Sequence, residues 1–315
     1  MNKFVHIPVL SEEVVQAIQP VADGRYADGT IGGGGHAELI LTAGSPGARL
    51  YGSDRDGAAV EAASSRLARF EHRLEIRRGE FETLAEWVES GSLDGVLLDL
   101  GVSSPQLDMP ERGFSVVEDG PLDMRMDHRK SLTAEELVNG LNADELATMF
   151  WENGGERESR KIARAIVSER ELNRFSRTGQ LADFIERIKP RRGKKTHPAT
   201  KVFQALRIEV NDEYGAIRRG LPLMRDLLKP GGRLAVITFH SGEDRMVKEF
   251  GRVESREYDL PGVDDVPALR IPRQARMRWV SRKAIRAGDE EVARNPRARS
   301  AQLRVLEKQG HKEKR

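Results

Sequence analysis

Three stretches of this chain carry residue types that do chemistry: a run of four glycines, Gly32 to Gly35, and two acidic residues, Asp54 and Asp99, that each close an apolar run. The glycines follow Arg25-Tyr26-Ala27-Asp28-Gly29-Thr30-Ile31 and lead into His36-Ala37-Glu38-Leu39-Ile40, which reads as strand, turn and helix start. Without a Cβ, glycine reaches φ > 0 and lets the main chain lie against a bound molecule. The amides of such a turn, with the positive end of the next helix, favour a polar or anionic part of a ligand. Asp54 closes Arg49-Leu50-Tyr51-Gly52-Ser53-Asp54 about twenty residues on, a spacing that suits a carboxylate accepting hydrogen bonds from a ribose. Gly32-x-Gly34-x-x-Ala37 also satisfies the dinucleotide fingerprint, so a nicotinamide-dependent oxidoreductase is a second reading. Asp99 opens Asp99-Leu100-Gly101-Val102-Ser103-Ser104-Pro105-Gln106, a small-residue turn at the end of a strand.

Elements must place these residues at one edge. Ser11 reads as an N-cap followed by Glu12 and Glu13, with Val14, Val15 and Ile18 on one helix face. Ala59 to Phe70 reads as a helix, Leu74 to Arg77 as a strand, Phe81 to Ser90 as a short helix, and Gly95 to Leu100 as a buried parallel strand. Strand and helix thus alternate four times, the pattern of a doubly wound α/β sheet with ligands at the strands' carboxyl ends. From Asp108 to Thr196 the alternation stops. Thr133 with Glu136 and Asn142 with Glu145 have capping-box spacing, and Ile162, Ala165, Ile166 and Leu181, Phe184, Ile185, Ile188 mark two further helices. Thr200 to Leu228 reads as one long helix kinked or divided at Pro222, Lys229 to Gly232 as a turn, and Arg233 to Phe239 as a fifth strand. Met277 to Val280 and Ala301 to Leu306 supply two more. The expected architecture is a seven-stranded doubly wound sheet with a late hairpin and a helical domain inserted after the fourth strand. Its parts are residues 1–107, 108–196 and 197–315.

Composition narrows the classes. The 315 residues include 52 basic and 50 acidic ones, a net +2, so contact with nucleic acid has to come from local clusters. Lys189, Arg191, Arg192, Lys194 and Lys195 form one such cluster. Arg270, Arg273, Arg276, Arg278, Arg282, Lys283 and Arg286 form another, interleaved with Trp279. There is no cysteine, which excludes disulfides, thiolate metal sites and cysteine nucleophiles. No apolar stretch approaches membrane-spanning length, and Met1 to Pro8 has no leader-type core, so a soluble, cytoplasmic protein is expected. The tail from His311 to Arg315 is expected to be disordered.

The Ser103-Ser104-Pro105-Gln106 turn is similar to the Ser/Asp-Pro-Pro-aromatic motif of enzymes that methylate exocyclic amino groups, with Gln106 in place of the second proline. More broadly, the chain resembles the RsmH (MraW) family of 16S ribosomal RNA methyltransferases. The resemblance rests on Asp28-Gly29-Thr30 with Gly34-Gly35-His36, on Asp99 to Asp108, on Arg112-Gly113-Phe114-Ser115 and on Gly120 to Met126. It continues through His197-Pro198-Ala199-Thr200, Phe203 to Asn211 and Asn295 to Ser300, in family order over nearly the whole chain. One departure is Gly242, in Phe239-His240-Ser241-Gly242-Glu243-Asp244, where the family usually has leucine.

The resemblance implies a class I (Rossmann-like) methyltransferase that uses S-adenosyl-L-methionine. Its target would be the N(4) amino group of a decoding-region (P-site) cytidine in 16S rRNA of the small ribosomal subunit. It implies that Gly34, Gly35 and His36 lie along the cofactor's methionine end and ribose, that Asp54 binds the ribose and that Phe81 packs on the adenine. Asp99 and Gln106 complete the pocket. Asp99 and Ser104, with carbonyls near Ser103-Ser104, are the catalytic candidates as acceptors for the amino N–H groups of an extruded base. No metal is required; His6, His197 and His240 read as structural or RNA-facing. An RNA-binding assembly factor that holds the cofactor without turnover is a further alternative, and a homodimer is left open.

Overall fold

A computed structural model describes residues 8–191, 193, 196–260, 262 and 264–310, the side chain of Ser104 excepted. The expectations for His6, Arg192, Lys194, Lys195 and the tail from His311 lie outside the described residues. The chain forms two compact units, residues 1–101 with 215–315, and residues 102–214.

The first unit contains every strand found among the described residues: β1 (Arg25–Asp28), β2 (Arg49–Asp54), β3 (Leu74–Arg78), β4 (Leu93–Asp99), β5 (Leu228–Thr238), β6 (Tyr258–Asp259), β7 (Ile271–Pro272), β8 (Met277–Trp279), β9 (Ile285–Arg286) and β10 (Gln302–Lys308). The main sheet runs β3-β2-β1-β4-β5-β10-β8. β1 to β5 are mutually parallel, and β10 runs antiparallel to both β5 and β8. Those seven are the strands expected from sequence. β9 adds an eighth by pairing with the start of β10, and β6 and β7 form a separate hairpin. The parallel arrangement follows from burial on both faces: Val96, Leu97 and Leu98 of β4 are all fully buried. β1 lies between β2 and β4, so the chain reverses direction across the sheet there, the switch point at which open α/β sheets hold ligands.

Two local expectations need correction. Ser11 is the first residue of its helix (Ser11–Ile18) rather than the cap; Leu10 takes the cap position in the left-handed region, and the Ser11 hydroxyl donates to the Pro8 carbonyl at 2.5 Å. The long helix after Thr200 is two helices, Thr200–Val210 and Glu213–Leu227, broken at Asn211-Asp212 and not at Pro222. The break has a distant cause. Asn211 is buried, its Oδ1 accepts from the Met126 N–H at 2.8 Å, and its Nδ2 donates to the Met124 carbonyl at 2.8 Å. Asp212 then turns at φ 48°. The Lys229–Gly232 turn falls inside β5: pairing with β4 jumps from Leu93↔Leu228 to Gly95↔Arg233, so these four residues loop out.

The second unit is helical, with Ser104–Asp108, Ala134–Gly140, Ala143–Glu152, Ser159–Arg170, Thr178–Ile188 and Thr200–Val210 around a core that includes Phe150, Ile162, Ile166, Phe175, Leu181 and Leu206. Its described residues contain no strand beyond an isolated bridge between Pro121 and Arg177. Both capping boxes are formed. No helix among the described residues is long and apolar enough to cross a membrane. The Asn142 side chain accepts from the Asp144 and Glu145 N–H groups at 3.0 Å, so Asn142→Ala leaves two helix-end donors uncapped. We expect it to cost about 1 kcal/mol, read by denaturant unfolding of the full chain.

Candidate active site

The site is built in the first unit from the carboxyl ends of β1, β2 and β4. β1 ends at Asp28, and the chain turns through Gly29 to Gly34 into the helix Gly35–Ala43. The turn is pinned at both sides: the Gly29 N–H donates to the Leu97 carbonyl of β4 at 3.0 Å, and the Ile31 N–H to the Ser53 carbonyl of β2 at 3.0 Å. Gly34 sits at φ 79°, and a Cβ there would press on Leu67 and on the main chain of Ala63. Glycine is therefore required at this point both by the left-handed backbone and by the close helix Gly57–Arg66 behind it.

The three aspartates hold this turn. Asp28 Oδ1 accepts from the Thr30 N–H at 3.1 Å. Asp54 accepts from the Gly32 N–H at 2.9 Å through Oδ2 and from the Asp56 N–H at 2.9 Å through Oδ1. The Asp99 N–H donates to Thr30 Oγ1 at 2.6 Å, so Thr30 ties the ends of β1 and β4 together. His36, buried on the first turn of its helix, brings Nε2 to 3.7 Å from Asp99 Oδ2. The structure thus gathers Gly34, Gly35, His36, Asp54 and Asp99 around one strand edge. Sequence reasoning misses Thr30, Asp28 and Glu243 as site residues. The signals for them are Asp28-Gly29-Thr30 at a strand end and the three-residue spacing from His240 to Glu243.

Charge makes the arrangement tense. Burial drives the Asp28 carboxyl up to about 7, with the neighbouring Asp54 charge adding to the shift and the Thr30 N–H opposing it. Asp54 is also raised, first by burial, against the amides of Asp56 and Gly32. Asp99 is held well above the usual carboxylate range by burial and then by the charges of Asp28 and Glu243. Glu243 is itself fully buried, its Oε2 accepting from the Phe239 N–H at 2.8 Å. Asp99 Oδ1 is enclosed and has no hydrogen-bond partner among the described residues. An enclosed carboxylate oxygen without a donor costs free energy that a ligand N–H or a cation would recover. The site therefore suits a ligand with a cationic centre beside the β4 end and hydroxyls beside Asp54.

Phe81 packs against Gly29, at the start of the glycine turn. It opens the single turn Phe81–Thr83 and is buried, its side chain lying where Cβ atoms on Gly29 and Gly220 would otherwise be. Ser104 and Gln106 belong to the second unit, on the helix Ser104–Asp108; Gln106 is buried and its Oε1 accepts from the Ser103 N–H at 3.0 Å, one arm of a capping box. His240 caps the helix Ser241–Glu254, accepting from the Gly242 N–H at 3.2 Å, which secures the helix start despite Gly242. His197 accepts from the Ala199 N–H at 3.1 Å and lies 3.2 Å from Glu186. In the second basic cluster four arginines are ion-paired: Arg270 with Asp265, Arg273 with Asp259, Arg276 with Glu254 and Arg278 with Glu307.

A family model described as the MraW methylase family matches residues 3–309. A ribosomal RNA small subunit methyltransferase H of Stenotrophomonas maltophilia (strain K279a) is 47% identical over 96% of this chain and 93% of its own length. Proteins of the same name from Heliobacterium mobile and Geobacter sp. (strain M21) are 44% and 46% identical, over 97% and 98% of this chain and 99% and 100% of theirs. Among solved structures, a putative rRNA methylase from Clostridium thermocellum aligns over 97% of this chain and all of its own at 12% identity and a TM-score of 0.43.

The raised Asp28 carboxyl fixes a sign for stability against pH. A folded-state value of about 7 lies above the ordinary value of 3.8, so the folded chain holds this proton more tightly than the unfolded one. The resulting stabilisation is full below the ordinary value of 3.8 and is lost as pH rises through about 7. Asp28→Asn keeps the acceptor for Thr30 and removes the ionisation. Each tenfold difference in proton affinity between the folded and unfolded chain corresponds to about 1.36 kcal/mol. The variant is therefore expected to stabilise the ligand-free protein by roughly 2–4 kcal/mol at about pH 8, and by far less at about pH 4.5. Thermal unfolding at the two pH values measures the difference.

Proposed function

The chain belongs to the MraW methylase family, and from that premise we propose that it transfers a methyl group from S-adenosyl-L-methionine to the N(4) amino group of a decoding-region cytidine in 16S rRNA. The observation that carries the reading is the strand-edge cluster of Asp28, Asp54 and Asp99 around the glycine turn, with Asp99 Oδ1 enclosed and unpartnered among the described residues. A donor of this class offers what the cluster lacks: a sulfonium and an ammonium as cations, and a ribose diol. The names of relatives at 44–47% identity supply the substrate class, small-subunit rRNA. A nicotinamide reading uses the glycine turn and Asp54 but leaves the crowded acids at the β4 end without a purpose.

The bound donor supplies an activated methyl group on sulfur. The rest falls to the chain. The amino nitrogen of cytosine is a weak nucleophile because its lone pair is delocalised into the ring. Holding it in line with the methyl group is worth several powers of ten in rate. Asp99, ionised once a cation lies beside it, accepts a hydrogen bond from the amino group, stabilises the positive charge that develops there, and takes the proton that the nitrogen sheds as the N–CH₃ bond replaces the S–CH₃ bond. Thr30 fixes the Asp99 main chain, and His36 flanks the carboxylate. The cytidine leaves its stack to reach the site. The helical unit is the proposed RNA-recognition part.

Calorimetry with S-adenosylmethionine against NAD tests the donor, and methyl incorporation into small-subunit particles from a strain lacking the protein tests the acceptor. Asp99→Asn is expected to lower turnover by about 100-fold or more, and to weaken donor binding by a smaller factor. Wild-type turnover in that variant removes Asp99 from the reaction. Small-subunit rRNA that keeps every cytidine methyl mark in the deletion strain overturns the assignment.

A further inference from the structure

We propose that a cleft in the helical unit, between the starts of the helices Ser159–Arg170 and Thr200–Val210 and the end of Thr178–Ile188, grips phosphodiester groups of the substrate RNA outside the methylated nucleotide. The proposal rests on the rRNA reading above and names a surface on which that RNA is held.

The cleft has about 430 Å³ of open space. Arg157, Lys161, Lys189, Arg191 and Lys201 line it, against Glu156 and Glu158. Glu156 is buried and satisfied by Lys189, whose amine lies 2.5 Å away. Arg191 is likewise held by a carboxylate, that of Glu186 at 2.5 Å. The remaining cations, Lys161, Lys201 and Arg157, are placed differently. Lys161 donates to the Ile188 carbonyl at 2.8 Å and also reaches Glu158 Oε2 at 3.3 Å. Lys201 donates to the Gly155 carbonyl at 2.7 Å. A carbonyl anchors an ammonium without cancelling its charge, and two of its three N–H donors stay available. Arg157 is exposed and has no partner among the described residues.

Two helix N-termini open on the same cleft, and neither has a side-chain cap. Their partial positive ends reinforce the ammonium groups within the first turn. The donors are lysine and arginine spread along an open groove rather than a fork closed on one point. That suits successive phosphates of a polynucleotide, which lysine meets as point charges whatever the base sequence.

The test uses the full-length protein. Arg157→Gln/Lys201→Gln removes two cations that make no carboxylate pair among the described residues, and Glu158→Gln removes the exposed acid beside Lys161. Filter binding of small-subunit rRNA is measured from low to moderate salt, with donor affinity by calorimetry and thermal unfolding as controls. The double variant should lose about tenfold or more in RNA affinity, with its log–log salt slope reduced by about 1 to 2, while donor affinity and melting temperature stay at wild-type values. Glu158→Gln should bind RNA more tightly, by a few-fold. An unchanged affinity and slope in the double variant overturns the cleft while leaving the methyltransferase reading intact, provided that the wild type methylates rRNA in the same preparation. Wild-type protein that neither binds nor methylates rRNA sinks both. If the double variant melts early, the Glu158→Gln result decides: no gain in affinity removes the proposal.

Discussion

Adjacent parallel strands that end in carboxylates, Asp28 buried and Asp54 and Asp99 half-buried, are the constraint on which the first unit depends. The order of the sheet sets β1 beside β4, so Asp28 and Asp99 meet at one edge, with Asp54 one strand away. Burial penalises each charge, the Asp54 charge adds to the shift of Asp28, and the charges of Asp28 and Glu243 add to that of Asp99. The fold answers with main-chain donors: the turn after β1 delivers the Thr30 amide to Asp28 and the Gly32 amide to Asp54. That delivery requires a turn tight enough to aim successive amides at strand ends. This is why glycines stand there, with Gly34 in a backbone region that side chains disfavour. Of the three aspartates, Asp99 is left with an enclosed oxygen that no described group satisfies, and it is where a cationic ligand gains most.

Much of this is legible in local sequence because it rests on local periodicity. The four alternations, Asp54 at the end of β2 and both capping boxes are properties of windows shorter than about twenty residues. What escapes the sequence is tertiary in origin. The helix after Thr200 breaks where the Asn211 side chain is taken by main-chain groups of Met124 and Met126, 87 and 85 residues earlier, and no local window contains that competition. Pro222, the obvious breaker, is carried inside the following helix. β9 is two residues long and exists only because the start of β10 has a free edge. In the site, sequence alone shows Asp28 as part of a motif. Its electrostatic role emerges only once β4 is placed beside β1.

Several stretches that carry the family resemblance do structural work in the helical unit. Arg112 donates to the Arg125 and Met126 carbonyls, both at 3.2 Å. Arg125 forks onto Asp123 at 2.9 and 2.7 Å. Asn211 bonds the main chain of the same loop, and Arg207 grips Glu213 at 2.7 and 2.8 Å. Arg112, Asp123, Arg125 and Asn211 thus form one hydrogen-bonded knot, in which removing any member strands buried polar partners. Motif residues of this kind report how the helical unit is held.

The near-zero net charge conceals a division of labour among the cations. An arginine held by a carboxylate presents almost no field at a distance. Arg270, Arg273, Arg276 and Arg278 are all in that state, and an RNA strand would have to displace an acid at each. A lysine held by a carbonyl keeps its unit charge and has already lost part of its side-chain freedom. Lys201 is in that state, on a surface that also carries Arg157, unpaired among the described residues. Partner type therefore separates the two clusters where residue counts do not. Seven basic residues from Arg270 to Arg286 favour that region in the sequence, yet four of them are held by acids, whereas Lys201 and Arg157 make no carboxylate pair among the described residues. A polyanion that is attracted over a Debye length of about 8 Å at physiological salt responds to the field of such cations and not to the composition.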